Sequence, residues 1–409
     1  MGVYNPKYTG IYVGKDKYIT NEEVCDILAR IVGCDSVTGH EGACGRVIAS
    51  ICEEYGLKYE MVEADENRPN VMITLGADSY LDKKLGLLFE GHYDTVPVME
   101  MEHPFDTAIV DNKMWGRGIV DQKSGVVSAL CAAIAVKRSG KTLKKPICVA
   151  LVIDEESEHR GGYALAESKL QAEYAFTTEP TNRVTCEFGC RGTTPIRIHI
   201  EGLTAHASTP YRGINSIQKA LPILNALFAL EFPEVDLGKF GVYRNSICVS
   251  MIEAGSAYNN VPGEAVIWMD CRTVPGTTSA DMLNLVKSIV DDAKKADPQL
   301  KATVEIARPD WHWEPIKEHG LNATLTDPET ELYNVLCRAG KKCGIETIEK
   351  RFSNGYNDMD FLVNDLGIPT ITYSAGQGEM SHSPREEVDI DEICQVTDVF
   401  CNAIEELCM

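Results

Sequence analysis

Residues 147–156 read Ile-Cys-Val-Ala-Leu-Val-Ile-Asp-Glu-Glu, which is seven apolar residues followed directly by three acids. An uninterrupted apolar run of this length is typical of a strand that is buried on both faces of a sheet. Adjacent carboxylates at the end of such a strand repel each other unless a positive charge lies beside them. The stretch therefore predicts a buried strand in a sheet. We expect the acids at its end to lie beside a positive charge.

Helical and strand patterns alternate around this stretch over the first two hundred residues. Helical spacing covers residues 22–31, 42–55 and 124–138, and short apolar runs of buried-strand type cover residues 85–90, 147–153 and 174–178. This alternation predicts an α/β fold, with a mixed sheet flanked by helices. The same pattern returns near the C-terminus, with a helix at 331–342, a strand at 370–373 and a closing helix at 390–408.

The segment that separates these two parts has a different pattern of strands and helices. Strand patterns cover residues 193–201, 246–253, 265–272 and 302–307, and helical patterns cover residues 214–230 and 279–296. The order β-α-β-β-α-β is that of a small ferredoxin-like α+β domain. We therefore predict a catalytic α/β domain made of residues 1–188 and 309–409, interrupted by a ferredoxin-like domain at residues 189–308. Residues 1–18 and 311–313 match no motif.

The composition excludes several classes of partner. The 409 residues include 39 basic and 61 acidic side chains, which gives a net charge of −22. Such a surface repels nucleic acid and anionic lipid. We find no run of about 18 apolar residues of the kind a membrane helix needs, and no signal peptide at the N-terminus. We therefore expect a cytoplasmic protein with neither nucleic acid nor membrane as a partner.

The chain has 15 cysteines and no Cys-x-x-Cys pair. Without a secretory signal, cysteines in apolar patterns are expected to be buried thiols that stay reduced. The missing Cys-x-x-Cys also counts against the alternative of a redox protein.

Two loops that follow apolar runs carry candidate ligands. His92 and Asp94 lie two residues apart after the strand pattern that ends near residue 90, and a metal-binding imidazole needs an acceptor such as a carboxylate on its second nitrogen. Asp121 lies in a glycine-rich turn just before a helix. Each also has an ordinary structural interpretation, since a histidine can cap a strand and an aspartate can cap a helix.

Further acids and a second histidine follow other apolar runs. They are Glu155 and Glu156 after residue 153, Glu179 after residue 178, and His382 in a glycine-rich loop. Ligands of open α/β sheets bind at the carboxyl ends of the strands, where these side chains are expected to meet. Two histidines and three carboxylates are too many for one tetrahedral site, but they suit two metal ions that share one bridging carboxylate.

These ordered motifs resemble the dinuclear zinc peptidase and deacylase family, which includes acetylornithine deacetylase, succinyl-diaminopimelate desuccinylase, aminoacylase and glutamate carboxypeptidase. The resemblance extends from about residue 20 to the C-terminus. It implies that His92 and Glu179 hold one metal ion and that Glu156 and His382 hold the other. Asp121 would then bridge the two ions.

The same resemblance assigns further roles. Glu155 would be the general base, and Asp94 would hold the His92 ring. Residues 202–210 (GLTAHASTP) match the family's lid motif, in which the histidine, here His206, reaches the active site of the partner subunit of a homodimer and stabilises the oxyanion. Asn260 and Arg272 match the family's substrate-binding positions, and a guanidinium suits a substrate carboxylate.

The resemblance predicts hydrolysis of an amide bond in a small carboxylate-bearing substrate, as in N-acyl amino acid deacylases. Two divalent ions, zinc with cobalt or manganese as alternatives, would activate the attacking water. A di- or tripeptidase and a ureido or carbamoyl amidohydrolase are alternatives within this class. A metal-loaded but catalytically silent binding protein is the alternative from another class.

Overall fold

The computed structural model describes residues 4–409. Within these residues the chain forms nine α-helices: α1 Asn21–Val32, α2 Gly42–Glu54, α3 Ser124–Ser139, α4 Arg160–Glu167, α5 Ser216–Phe228, α6 Ser279–Ala296, α7 Glu314–His319, α8 Glu331–Lys342 and α9 Ile390–Cys408.

The same part of the chain forms nineteen strands: β1 Lys58–Asp65, β2 Arg68–Leu75, β3 Leu87–His92, β4 Ile109–Val110, β5 Lys113–Trp115, β6 Ile147–Val152, β7 Ala175–Thr177, β8 Thr185–Cys190, β9 Gly192–Glu201, β10 Ala205–His206, β11 Val235–Asp236, β12 Val242–Tyr243, β13 Ser246–Ala254, β14 Asn260–Val261, β15 Glu264–Thr273, β16 Lys301–Ile306, β17 Glu349–Ser353, β18 Thr370–Thr372 and β19 Glu387–Asp389.

The described part of the chain divides into two compact units, and the first consists of residues 4–189, 325–353 and 357–409. Its main sheet has the strand order β1-β2-β6-β3-β7-β18-β8-β17. The four central strands, β6, β3, β7 and β18, run parallel, and β2 and β8 pair antiparallel with them. The predicted mixed α/β sheet is therefore confirmed.

Helices cover both faces of this sheet because successive residues of a strand point to opposite faces. On one face Leu88 of β3 packs in a cluster with Leu165 of α4. On the other face the Phe89 ring lies 4.8 Å from the ring of Phe400 in α9. Helices shield both faces from solvent, which is why the central strands are continuous apolar runs in the sequence.

Several strands of this unit were not predicted. The hairpin of β1 and β2 forms one side of the sheet, and β1 has no fully buried residue. A second, three-stranded sheet has the order β19-β5-β4, and each of its strands has two or three residues. Exposed edge strands and very short strands lack the apolar pattern on which a sequence-based assignment depends.

The second unit consists of residues 190–324 and 354–356. Its four-stranded sheet has the order β13-β15-β9-β16, and all of its pairings are antiparallel. Alternate residues of β9, which are Ile196, Ile198 and Ile200, form its core together with apolar residues of α5 and α6. The β-α-β-β-α-β order and this strand arrangement are those of a ferredoxin-like domain.

The end of this unit differs from the predicted boundary at residue 308. The chain stays with the second unit as far as residue 324 because Thr193 and Leu321 form a β-bridge, and the amide of Thr324 donates to the carbonyl of Cys190 at 3.0 Å. A single β-bridge has no sequence pattern, so the boundary could not be located from the sequence. Trp311 is buried within this extension.

An N-terminal arm runs along α9, in a part of the sequence that matched no motif. Asp398 accepts hydrogen bonds from the Tyr8 hydroxyl at 2.8 Å and from the backbone amides of Ile11 at 2.7 Å and Tyr12 at 2.8 Å. A Cβ at Gly10 would lie 1.6 Å from the Asp398 carboxylate, so glycine is required there. Three hydroxyl–carboxylate pairs repeat along the arm: Tyr4 with Asp391, Tyr8 with Asp398 and Tyr12 with Glu405.

All fifteen cysteines are free thiols, and eleven of them are buried. Cys248 is exposed and lies on β13, the edge strand of its sheet. One segment, Ile119–Ser139, is long and apolar enough to cross a membrane. Its apolar window is 94% buried within the protein, as in the core helix of a globular domain.

We predict that Asp398→Ala lowers the free energy of unfolding by about 2–4 kcal/mol, because three donors lose their acceptor in a partly buried place. Urea denaturation measures this change. Glu406→Gln, on the same helix, is the matched control, since its ion pair with Arg338 is a surface contact expected to contribute less than about 1 kcal/mol. Equal effects of the two substitutions would show that the arm does not stabilise α9.

Candidate metal centre

The predicted ligands meet at the carboxyl ends of the parallel strands. His92 is the last residue of β3, Glu156 follows β6, and Glu179 follows β7. His382 lies in the loop after β18, and Asp121 lies in the turn just before α3. The peptide bond between Asp121 and Gln122 is cis.

The five side chains form two groups that share Asp121. In the first group, His92 Nε2 lies 3.3 Å from Asp121 Oδ1 and 3.7 Å from Glu179 Oε1. In the second group, His382 Nε2 lies 3.3 Å from Asp121 Oδ2 and 3.1 Å from the Glu156 carboxylate. The two oxygens of Asp121 thus face different histidines, as a bridging carboxylate requires.

Asp94 fixes the orientation of the first group. Its carboxylate lies 3.3 Å from His92 Nδ1, and it accepts hydrogen bonds from the amides of Glu155 at 3.1 Å and Glu156 at 3.2 Å. The Thr38 hydroxyl donates to the same carboxylate at 2.8 Å. Asp94 therefore joins the ends of β3 and β6 while it leaves His92 Nε2 facing Asp121.

Gln122 holds Glu179, and we did not predict this from the sequence. The Gln122 side-chain amide donates to Glu179 Oε1 at 2.6 Å, and its carbonyl oxygen accepts from the Thr178 hydroxyl at 2.6 Å. The position of Gln122, directly after Asp121, was the available signal, but no charge or periodicity distinguishes it.

A buried ion pair fastens the loop that carries His382, and it too was not predicted. The guanidinium of Arg117 is fully buried, pairs with Glu386 and donates to the carbonyl of Ser383 at 3.1 Å. The other oxygen of Glu386 accepts from the amide of Val120 at 3.2 Å. The turn before Asp121 and the loop around His382 are thus tied together by one pair of charges.

The electrostatics show an excess of buried negative charge. Burial raises the pKa of Glu179 well above its usual value, and nearby Asp121 adds to the effect. Burial also raises the pKa values of Glu155 and Glu156. For Asp121 the two histidine contacts outweigh burial, and its pKa falls below the usual range.

His382 shows the opposite shift. Hydrogen bonds with Asp121 and Glu156 raise the pKa of its imidazole to about 10. The metal-free site therefore gathers protons to balance its carboxylates. Divalent ions would balance the same charges, and two imidazole nitrogens with three carboxylates are ligands that zinc, cobalt and manganese all accept. The residues present therefore fit a pair of divalent ions.

The other three predicted residues belong to the second unit. His206 of β10 is paired with Asn260 of β14 across a two-stranded ribbon. The His206 ring is exposed, with its Nδ1 at 2.7 Å from the hydroxyl of Ser208. Arg272 of β15 donates from Nε to Asp270 at 2.9 Å, and about a third of its side chain is exposed.

A mixed α/β sheet that carries this ligand set at its carboxyl edge defines a metal-dependent hydrolase. The model of the peptidase family M20/M25/M40 matches residues 88–406, and the chain belongs to that family. The family resemblance inferred from the motifs is thereby confirmed.

Individual relatives are distant but match nearly the whole chain. Acetylornithine deacetylase of Erwinia tasmaniensis is 25% identical over 376 residues, which cover 87% of each chain. The structure of aminopeptidase PepT from Bacillus cereus matches with a TM-score of 0.74 and 20% identity, covering 95% of this chain and 99% of that one. The YXEP protein of Bacillus subtilis, described as a dinuclear metal binding peptidase, matches with a TM-score of 0.69 and 14% identity, covering 95% of this chain and 98% of that one.

We predict that divalent metal binding releases protons and strengthens with pH. Because His382 has its pKa raised to about 10, it is protonated at neutral pH in the metal-free protein, and the ion must displace that proton. The apparent affinity should therefore rise by up to about tenfold per pH unit between pH 6 and 9. Calorimetry in buffers of different protonation enthalpy counts the released protons.

The matched control is His199→Gln, since His199 contacts Glu264 at 2.8 Å in the second unit. This variant should release as many protons as the unaltered protein. An affinity that does not depend on pH would contradict the assignment of His382 as a ligand.

Proposed function

We propose that the protein hydrolyses the amide bond of a small, carboxylate-bearing substrate, as an N-acyl amino acid deacylase does. The observation that carries this proposal is Glu155, an acid with a side chain 10% exposed that lies beside the ligand set without belonging to either group around Asp121. One of its oxygens is 3.9 Å from His92 Nε2. A carboxylate in that place suits a general base better than a ligand.

We assign two divalent ions to the site, with zinc as the first choice and cobalt or manganese as alternatives. His92 and Glu179 would hold one ion, Glu156 and His382 the other, and Asp121 would bridge them. When bound, such ions lower the pKa of water and polarise a carbonyl oxygen.

Glu155 supplies the proton transfers in this proposal. Its carboxylate accepts a proton from the water that attacks the carbonyl carbon, and it later delivers that proton to the departing nitrogen. Burial raises the pKa of Glu155, which makes its carboxylate a stronger base for the first of these transfers. Asp94 fixes the main chain of Glu155 through the hydrogen bond to its amide.

The second unit would contribute three further residues to the reaction, which are His206, Asn260 and Arg272. His206 would stabilise the oxyanion in the active site of a partner subunit, as the family resemblance implies. Its ribbon partner Asn260 and the partly exposed guanidinium of Arg272 would orient the substrate and bind its carboxylate.

The proposed homodimer is supported by an apolar surface of the second unit. The edge strand β13 exposes Met251 and Ile252, and α5 exposes Ile217, Leu221 and Phe228 at helical spacing. An exposed edge strand with apolar side chains is a pairing surface unless it is covered. A second copy of the chain would cover it.

A deacylase is favoured over the alternatives by Glu179, since its glutamate resembles the deacetylase and desuccinylase branch of the family. A di- or tripeptidase remains the second candidate, supported by the fold shared with an aminopeptidase. A ureido or carbamoyl amidohydrolase shares the same centre. A silent metal-binding protein is disfavoured because Glu155, Glu156 and Asp121 are all in place.

We also propose that the protein works in the cytoplasm. Fifteen free thiols, most of them buried, suit a reducing compartment.

We predict that N-acyl amino acids are hydrolysed faster than di- and tripeptides by the metal-reconstituted protein. A chromatographic screen of both substrate classes, with a chelator-treated sample as control, measures the preference.

Glu155→Ala should lower kcat by about 10²–10⁴-fold while two metal ions stay bound, because the base is lost and the ligands are kept. Substantial activity of this variant would remove Glu155 from the mechanism.

We further predict that His206→Ala lowers kcat by about 10²–10³-fold at unchanged metal content, since a donor to the oxyanion is lost. Sedimentation should give twice the 45.0 kDa chain mass for both proteins. An unchanged kcat would show that His206 takes no part in catalysis, and a monomer with full activity would exclude a partner's histidine.

A further inference from the structure

A buried histidine–aspartate pair lies beside Glu155 and has no role in the function proposed above. His159 Nδ1 is 2.8 Å from Asp358 Oδ1, and the two residues are 4% and 2% exposed. Their positions are almost two hundred residues apart in the chain.

The pair is close to the proposed base. One oxygen of Glu155, one ring nitrogen of His159 and one carboxylate oxygen of Asp358 all lie within 4.8 Å of one another. Glu155 also approaches His92, with 3.9 Å between its Oε2 and His92 Nε2, so its carboxylate is near two imidazole rings, one from the metal centre and one from this pair.

The backbone is built to place the His159 ring. His159 has φ +55° and ψ +31°, a left-handed conformation, at the residue that precedes α4. Its amide donates to the carbonyl of Asp154 at 2.7 Å, so the chain turns back on itself directly after Glu155 and Glu156. A histidine adopts this conformation at an energetic cost that the surrounding contacts must offset.

The aspartate side of the pair depends on a close approach at Gly162. A Cβ at residue 162 would lie 2.6 Å from the Phe361 ring and 2.9 Å from the carboxyl carbon of Asp358. The glycine therefore lets the Asp358 segment pack against α4. Oδ2 of Asp358 is buried and has no hydrogen-bond partner within residues 4–409, so the contact with His159 is a main means of orienting this carboxylate.

We propose that His159, oriented by Asp358, is a positioning residue that holds the Glu155 carboxylate toward the metal centre. The inference rests on the role of Glu155 proposed above. The ring lies beside the carboxylates of Glu155 and Asp358, which repel each other, and it restricts the side-chain conformations open to Glu155. Displacement of a catalytic group by 1 Å can lower the rate by about 10²-fold. Restricting the Glu155 side chain to one position therefore protects the rate of the proton transfers.

A third cation held by Glu155, His159 and Asp358 is the competing interpretation. The distance between His159 and Asp358 favours the positioning role, since 2.8 Å is the length of a direct hydrogen bond. The histidine–carboxylate pairs of the two metal groups are wider, at 3.1 to 3.7 Å. A proton fits between His159 and Asp358, whereas an ion requires the pair to open.

The test compares His159→Asn with the unaltered, metal-loaded protein. Asparagine tolerates a positive φ and is too short to replace the ring, so the backbone is kept and the ring beside Glu155 is lost. We expect kcat to fall by about tenfold or more, with KM and two metal ions per chain unchanged. Asp358→Asn, which keeps the size of the side chain, should give a smaller loss of kcat of the same kind.

Phe361→Leu is the matched control, because the Phe361 ring packs near His159 with ring centroids 6.2 Å apart and makes no contribution to the hydrogen bond. This variant should keep kcat within about twofold. If it lowers kcat as much as His159→Asn does, the pair acts by packing alone and the proposal is wrong.

A double-mutant cycle with Glu155→Asp tests whether His159 acts through Glu155. With the carboxylate already displaced, His159→Asn should cost less than it does in the unaltered protein, and strict additivity would overturn the proposal. Three ions in the unaltered protein and two in His159→Asn would assign the pair to a cation instead. If Glu155→Ala itself keeps its activity, the role of Glu155 is wrong, and that failure is seen independently of His159.

Discussion

The structure depends on the concentration of carboxylates at one edge of a buried sheet. Asp121, Glu156 and Glu179 have to approach each other because the strands and turns that carry them converge there. Like charges in a poorly solvated place are costly unless positive charge lies between them. The two oxygens of Asp121 face His92 and His382, so the edge is arranged around two positions for positive charge. The raised pKa values of His92 and His382 favour protons at these positions in the metal-free protein, and divalent ions are the occupants that the proposed reaction would use.

The surrounding contacts keep that edge rigid. Asp94 is bonded to the main chain that carries the Glu155–Glu156 pair, and Gln122 orients Glu179. The ion pair of Arg117 with Glu386 joins the Asp121 turn to the His382 loop. Each of these contacts connects segments that are distant in the chain. The geometry of the centre is therefore a property of the tertiary structure, although three of the five candidate ligands follow local strand patterns.

This difference explains what could be predicted from the sequence. His92, Glu156 and Glu179 follow apolar runs, and the rule that ligands gather at the carboxyl ends of parallel strands brings them together. Gln122 and the pair of Arg117 with Glu386 act through contacts for which no spacing or periodicity exists. Strand β1 was missed for a different reason, since an exposed edge strand lacks the buried pattern. Its neighbour β2 is buried over residues 70–75, and its apolar run there was overlooked. The ferredoxin-like unit was recognised from its element order, but a single β-bridge sets its end at residue 324.

The N-terminal arm is connected to the candidate metal centre through α9. The loop that carries His382 is held at its beginning by Glu392 of α9, which accepts from the amide of Gly376 at 3.2 Å, and near its end by Arg117. The half-exposed His382 ring thus depends on the position of α9. Asp391 and Asp398 of the same helix bind the arm through Tyr4 and Tyr8. The arm therefore stabilises the helix to which the loop of one candidate metal ligand is attached, which gives a physical reason for a segment that carries none of the candidate site residues.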